Sequence, residues 1–224
     1  LSLHDALPIY RIVCVDRGFS GNPYEAGKDK TFSLDTLPQE YTAYGNGDYR
    51  INGLEVEQAD GSDTANLKFE SYKITKGKYS LKGLPAMFAK EDEAETLEIV
   101  LADRVSGLKA HLLYSVFPHL DVITRAVRLE QTGETPVTVK KAMSMEMDFE
   151  YREMDAVHFY CRHNVERQME RTHLGHANWS VGSIRGTSSH HHNPFVILCD
   201  RNTEETYGNC YGYALAYSGN FTFE

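Results

Sequence analysis

The sequence has neither an excess of basic residues nor a long apolar segment. Of its 224 residues, 23 are Lys or Arg and 32 are Asp or Glu, so the net charge is -9 at pH 7. Nucleic acids and anionic membranes are bound by clustered cations, and a membrane-spanning helix needs about 18 apolar residues. The opening stretch, LSLHDALPIY, carries His4 and Asp5 within its apolar run, unlike a signal peptide. We therefore expect a cytoplasmic protein that binds neither nucleic acid nor membrane.

Several signatures of catalysis are also missing. No two of the cysteines have CxxC spacing, which argues against a zinc ribbon or redox motif and favours free buried thiols; they are Cys14, Cys161, Cys199 and Cys210. There is no G-x-S-x-G nucleophile elbow, and GNGD precedes a strand pattern rather than a phosphate-binding helix. The acidic residues include no pair that spacing marks as the two carboxylates of a glycosidase.

What the sequence has in abundance is alternation of apolar and polar residues, which is typical of half-buried strands. The segment TLEIVLADRVSGLKAHLLYSVF predicts a hairpin that turns at DRVSG. The segment DVITRAVRLEQTGETPVTVKKAMSMEMDF predicts a second hairpin around TGET. Strands of this kind recur to the end of the chain, so we predict an all-β fold, a large antiparallel β-sandwich (supersandwich) that is incomplete at both ends.

The return strand of the second predicted hairpin has one apolar face. Its members, which include three methionines, are predicted to pack in the core rather than to line a cofactor pocket; they are Val137, Val139, Met143, Met145 and Met147. Lys141 falls on the same face. Its charge requires a bulge or an edge position that lets the side chain out.

The stretch SSHHHNPF raises the possibility of a metal site. In an extended segment His190 and His192 point to the same side, and an H-x-H pair can supply two ligands. A third ligand could come from His173, His176 or Asp200, but zinc needs three or four ligands and no second ligand spacing is evident. The alternative is a junction between a loop and a strand, where Pro194 keeps the preceding residue extended.

Seven segments together resemble the N-terminal β-sandwich domain of the glycoside hydrolase family 36 α-galactosidases. They occur in the order of that family and span about residues 16 to 223; they are DRGFSGNPYE, KTFSLDTLPQEYTAYGNGDYR, YSLKGLPAMF, DEAETLEIVLAD, DVITRAVRLEQTG, IRGTSSHHHNPF and YGNCYGYALAYSGNF. Residues 1–10 do not fit and are interpreted as a non-native or unmatched leader. Residues 11–224 are interpreted as the sandwich domain, truncated before the catalytic TIM barrel.

The resemblance implies the N-terminal portion of a retaining α-galactosidase that acts on melibiose- and raffinose-type oligosaccharides. In this family the two catalytic aspartates lie on the barrel, the nucleophile in a Lys-Trp-Asp motif. The single Trp here, Trp179, is followed by Ser, so no catalytic residue is expected in this chain. The resemblance implies no cofactor and no metal, because the family pattern S-S-H-x-x-N-P-F requires only His190 of the three histidines.

The resemblance also implies two substrate-binding candidates. In tetrameric members, an Asp in D-R-x-F-S-x-N-P and an Arg just before T-F-S-L-D reach into the active-site pocket of a neighbouring subunit. The first corresponds to Asp16, and the second is replaced by Lys30, which keeps the charge but loses the planar, two-pronged donor of arginine. A homo-oligomer, with a tetramer as one option, is therefore expected. The competing hypothesis is a stand-alone carbohydrate-binding or structural sandwich.

Overall fold

The structure, a computed structural model, describes residues 39–45, 47–149, 152–188 and 191–224. The strands in these residues pair antiparallel throughout, and the described chain has no helix that is long and apolar enough to cross a membrane. The predicted all-β, sandwich-type fold class is confirmed. The chain divides into unit 1 (Leu1–Ser80 and Phe88–Asp148) and unit 2 (Leu81–Met87 and Phe149–Glu224).

The described part of unit 1 contains two sheets. One has the strand order β2-β3-β4-β5, and the other consists of β1 and β6. The strands are β1 (Leu54–Glu57), β2 (Lys68–Lys76), β3 (Glu95–Ala102), β4 (Leu108–Phe117), β5 (Val122–Gln131) and β6 (Thr138–Ala142).

One face of the larger sheet forms the core of unit 1. Leu97 lies opposite Tyr114, and Ile99 lies opposite Leu112, as the first predicted hairpin requires. Because alternate residues of a strand point to the same face, the apolar positions of both strands meet on one side. The buried core residues are Tyr41, Ala43, Leu54, Val56, Ala65, Leu97, Ile99, Leu101, Leu108, Ala110, Leu112, Tyr114 and Val116.

The second predicted hairpin is wrong. β5 pairs with β4 along its whole length, whereas β6 pairs with β1, so the chain changes sheets at TGET. The residues after β5 pack against the turn between β3 and β4, where the Thr132 N–H donates to the Gly107 carbonyl over 3.0 Å. Period-two alternation identifies the face that a strand buries but not the strand with which it pairs, which explains the error.

The position of Lys141 follows from a bulge, one of the two alternatives that its sequence position left open. Between Glu55 and Val56 the register of β1 on β6 shifts by one residue, so that Lys141 lies opposite Glu55 and Val139 lies opposite Val56. A bulge reverses the alternation and thereby moves a charged residue off the apolar face. Val137 packs against the core, but Val139 is exposed and the three methionines are only half-buried.

The described part of unit 2 also contains two sheets, with the orders β11-β10-β7-β8 and β12-β9. Its strands are β7 (Met154–Arg162), β8 (Val165–Leu174), β9 (Val181–Ser183), β10 (His192–Asp200), β11 (Cys210–Ala214) and β12 (Phe221–Phe223). β8 is an edge strand of the described sheet, and most of its side chains are exposed, which agrees with the absence of an apolar face from its sequence.

Candidate functional site

The two substrate-binding residues implied by the sequence, Asp16 and Lys30, lie outside the described residues, so their roles stay predictions. The described chain begins within the motif that follows them. Its segment QEYTAYGNGDYR, residues 39–50, contacts two carboxylates far along the chain, at positions 146 and 148, through backbone N–H groups and the Arg50 side chain. This charged cluster in unit 1 is the first candidate site.

Asp48 and Arg50 form the centre of the cluster. The Arg50 guanidinium donates through Nε to Oδ1 of Asp48 over 3.0 Å and through Nη2 to Oδ2 over 2.8 Å, a two-pronged contact. Its Nη1 donates to Asp148 over 3.1 Å. The Asp48 side chain is only 1% exposed. Burial raises the pKa of Asp48, but the hydrogen bonds and charge of Arg50 outweigh it, so the pKa lies below its usual range and the carboxylate stays ionised.

Gln39, the first residue of the segment 39–50, donates hydrogen bonds to the carboxylates of both Asp48 and Asp148. Its side-chain amide donates to Oδ2 of Asp48 over 2.6 Å, and its backbone N–H donates to Oδ2 of Asp148 over 2.7 Å. The oxygens of Asp48 are thus occupied by donors from Arg50 and Gln39. A carboxylate that accepts so many hydrogen bonds is a poor proton donor or nucleophile.

Glu146 is held in a similar way by the neighbouring backbone. Its Oε2 accepts from the backbone N–H of Thr42 over 2.8 Å and from the Thr42 hydroxyl over 3.0 Å. The Thr42 hydroxyl in turn accepts from the Gly53 N–H over 3.0 Å. Burial raises the pKa of Glu146, although the hydrogen bonds from Thr42 oppose that effect.

Glu40 has the most perturbed carboxyl of the cluster. Its nearest cation is Arg125, whose Nη2 lies 3.4 Å from Oε1, and both side chains are at least nine-tenths buried. Burial raises the pKa of Glu40 to about 7, against the attraction of Arg125 and with a smaller contribution from the nearby carboxylates. The Arg125 guanidinium also lies 4.0 Å from the centre of the Tyr114 ring. Glu40 therefore takes up a proton near neutral pH.

The cluster does not have the arrangement of a glycosidase active site. A retaining glycosidase places two carboxyl groups on either side of a bound sugar, in a cleft open to substrate. Here Asp48 is buried and paired, and Glu40 is buried beside Arg125. The cluster instead ties residues 39–50 to the segment after β6 through charge-assisted hydrogen bonds.

The histidine stretch lies in unit 2. β10 begins at His192, so the predicted junction between a loop and a strand is confirmed, whereas His190 lies outside the described residues. The ring of His192 lies 5.8 Å from that of His158 and 5.6 Å from that of Tyr160, measured between centroids. The described residues include no group of three or more His, Cys, Asp and Glu side chains that could hold a metal ion.

Pro194 lies where β10 can accommodate it. The register of β10 on β7 shifts between His192 and Val196, so Pro194 falls in a bulge where the missing N–H breaks no ladder bond to β7. On the other side its carbonyl accepts from the Leu215 N–H over 2.9 Å.

The sequence matches the family model described as the glycosyl hydrolase family 36 N-terminal domain over residues 13–224. The chain belongs to glycosyl hydrolase family 36.

Relatives of this family 36 chain include the bifunctional α-galactosidase/sucrose kinase AgaSK of Mediterraneibacter gnavus, 53% identical over 96% of the chain and 23% of AgaSK. The α-galactosidase Mel36A of Lactobacillus acidophilus is 44% identical over 94% of the chain and 29% of Mel36A. Among solved structures, the galactosidase domain of AgaSK has a TM-score of 0.86 at 52% identity and covers 95% of the chain and 30% of its own length. The family 36 α-galactosidase AgaA A355E D548N of Geobacillus stearothermophilus, in complex with raffinose, has a TM-score of 0.86 at 42% identity, over 93% of the chain and 29% of AgaA. The chain thus spans less than a third of the relatives that it matches.

For this family 36 domain the sequence predicted two substrate-binding residues, Asp16 and Lys30, and did not predict the charged cluster. The spacing of Asp48 and Arg50, two residues apart in NGDYR, is a local signal that could have indicated an ion pair. Glu40 and Arg125 are separated by 85 residues, and no local pattern relates them.

Proposed function

We propose that the protein carrying this family 36 domain is an α-galactosidase that hydrolyses terminal α-galactosyl residues of melibiose- and raffinose-type oligosaccharides with retention of configuration. The observation that carries the proposal is 53% identity, over 96% of the chain, to the α-galactosidase AgaSK. Structures of AgaA variants in complex with raffinose and with stachyose give further support for the substrate class.

We further propose that residues 11–224 form a supporting domain and that residues 1–10 are a non-native or unmatched leader. The catalytic carboxylates of the cytoplasmic enzyme lie in the remainder of the polypeptide, because the single tryptophan, Trp179, is followed by Ser and the chain therefore has no Lys-Trp-Asp motif. Asp16 and Lys30 then act on the substrate from outside the catalytic domain, in the pocket of a neighbouring subunit of a homo-oligomer. The cluster contributes by fixing residues 39–50, a segment that begins nine residues after Lys30 in the chain.

The test uses the full-length protein encoded by the gene. We expect it to release galactose from raffinose, with the α-anomer formed first when the reaction is followed by proton NMR. The 224-residue chain, assayed at the same concentration on a chromogenic α-galactoside, is expected to be inactive. Robust turnover by that chain, or a full-length protein without α-galactosidase activity, would contradict the proposal.

The role of Asp16 and Lys30 has its own test in the full-length enzyme. Asp16→Asn and Lys30→Met are expected to raise KM for raffinose by more than they change kcat on the chromogenic substrate. An exposed lysine, Lys68, provides the control Lys68→Met. If KM for raffinose and kcat on the chromogenic substrate changed by the same factor, these positions would act on folding and not on binding of the oligosaccharide.

A further inference from the structure

Two cysteines lie directly opposite each other in the sheet of unit 2. Cys199 is the penultimate residue of β10, and Cys210 is the first residue of β11. The register of this antiparallel pair runs from Phe195 opposite Ala214 to Cys199 opposite Cys210. The sequence spacing of these cysteines matches no redox motif, so only the pairing of the strands brings them together.

The hydrogen bonds at both ends of the ladder show whether Cys199 and Cys210 form a hydrogen-bonded or a non-hydrogen-bonded pair. The Asp200 N–H donates to the Asn209 carbonyl over 3.1 Å, and the Leu215 N–H donates to the Pro194 carbonyl over 2.9 Å. In an antiparallel ladder, hydrogen-bonded and non-hydrogen-bonded pairs alternate, so the Cys199–Cys210 pair next to Asp200–Asn209 is non-hydrogen-bonded.

The geometry of a non-hydrogen-bonded pair is compatible with a disulfide. Such pairs have Cα atoms about 4.5 Å apart and their side chains on the same face. Disulfides occur at Cα separations of roughly 4.4–6.8 Å, a range that includes the separation typical of non-hydrogen-bonded pairs. A bond formed there requires rotation of two side chains and no slip of the strands.

The connecting loop holds the pair in register without a covalent link. The Asn209 side chain donates to Oδ2 of Asp200 over 3.0 Å, and the Thr203 hydroxyl donates to the Asn209 carbonyl over 3.1 Å. Arg171 of β8 donates to the carbonyls of Thr203 and Arg201 over 2.8 and 2.7 Å. Because these bonds fix the loop, the two thiols are preorganised for reaction with each other.

The two thiols differ in access to solvent. Cys210 is exposed, whereas Cys199 is 3% exposed and its Sγ lies 3.7 Å from the Asp155 carbonyl. Burial raises the pKa of Cys199, with Arg171 opposing that effect. An oxidant in solution therefore reaches Cys210 first, and Cys199 is placed to resolve the product. The exposure of Cys210 also corrects the expectation that the cysteines are all buried.

We propose that Cys199 and Cys210 form a reversible cross-strand disulfide when the protein meets a peroxide. The Cys210 thiolate attacks one peroxide oxygen, the O–O bond breaks, and a sulfenic acid and water result. The Cys199 thiolate then attacks the Cys210 sulfur, the S–O bond breaks, and a second water leaves with the thiol proton. Two thiols are oxidised by two electrons, and one hydrogen peroxide is reduced to two waters.

The exposure of Cys210 makes this bond a labile one. Disulfides that depart from the preferred geometry, or that are exposed, are reduced more readily than buried structural disulfides. The pair is therefore expected to return to the dithiol when a thiol reductant such as dithiothreitol is added.

The test uses the full-length protein, treated with one equivalent of hydrogen peroxide, alkylated and digested with trypsin. Cleavage at Arg201 separates the two cysteines, so the disulfide joins the peptide of residues 186–201 to the peptide that begins at Asn202. We expect this linked pair to contain most of the Cys199 and to fall by about tenfold after dithiothreitol. Cys210→Ser and Cys199→Ala are each expected to abolish it, and Cys161→Ala is the control that leaves it unchanged.

Two results would overturn the proposal. One is conversion of Cys210 in the unsubstituted protein to sulfinic acid without the linked peptides, which would show that Cys199 does not resolve it. The other is linkage of Cys199 or Cys210 to Cys14, to Cys161 or to a second molecule in place of the 199–210 bond. In the Cys199→Ala variant, where no resolving thiol remains, treatment with excess hydrogen peroxide is expected to convert Cys210 to sulfinic acid, because a second equivalent of peroxide oxidises the sulfenic acid.

Discussion

Glu40 provides the sharpest quantitative prediction for unit 1. Burial raises its pKa from 4.5 to about 7, despite Arg125 at 3.4 Å. At about 1.36 kcal/mol for each pKa unit, this difference corresponds to roughly 3 kcal/mol of pH-dependent stability. The attraction of Arg125 is already included, because it acts on the ionised form whose free energy the pKa measures.

The direction of the pH dependence follows from the number of protons that the folded and unfolded states bind. Between pH 4.5 and 7 the folded state holds a proton on Glu40 that the unfolded state has lost, so the free energy of unfolding decreases as the pH rises through this window. The Glu40→Gln variant keeps the shape and the acceptor for Arg125 but cannot ionise. Relative to the unsubstituted chain, we expect its stability to increase by about 3 kcal/mol between pH 4.5 and 8.

The assay is urea unfolding of the 224-residue chain at a series of pH values, followed by far-ultraviolet circular dichroism. The fluorescence of Trp179, the single tryptophan, reports on unit 2 in the same samples. Glu134→Gln, in an exposed turn of unit 1, is the matched control and should leave the pH dependence unchanged. Parallel pH profiles for the Glu40→Gln variant and the unsubstituted chain would refute the reasoning, because they would mean that Glu40 titrates as a solvated carboxyl.

Three further predictions concern other parts of the chain. Gly107→Ala should destabilise unit 1 by more than about 1 kcal/mol in the same urea assay, because Gly107 has a φ of 75° and a Cβ would meet the backbone of Gly133; an unchanged midpoint would contradict this. Burial, and to a smaller extent the charge of His158, holds the pKa of His192 below 6.5, so the folded state binds fewer protons than the unfolded state. The free energy of unfolding therefore falls as the pH drops through 6.5. His192→Gln should reduce this loss of stability at acid pH when unfolding is followed by Trp179 fluorescence. Lys30→Arg in the full-length enzyme should lower KM for raffinose, since arginine supplies two parallel donors; an unchanged KM argues against a substrate contact.

The local features of the fold could be predicted from the sequence. The alternation at Leu97 and Ile99, and again at Leu112 and Tyr114, predicted two adjacent strands and the face that forms the core. The anomaly of Lys141 predicted a bulge or an edge position, and the register of β1 on β6 contains a bulge. These features could be predicted because alternation and turn residues act over a few positions along one strand.

The sequence by itself determined the strand-rich class, the face that the first predicted hairpin buries and, through seven ordered motifs, the family. Only the tertiary structure decided which strands pair, and therefore that TGET joins two sheets, that Glu40 meets Arg125, and that Cys199 lies opposite Cys210. The physical reason is that a strand's own pattern specifies the side that it buries, whereas its partner is selected by packing between residues that are distant in the chain. The ionisation of Glu40 and the reactivity of the cysteine pair depend on those partners.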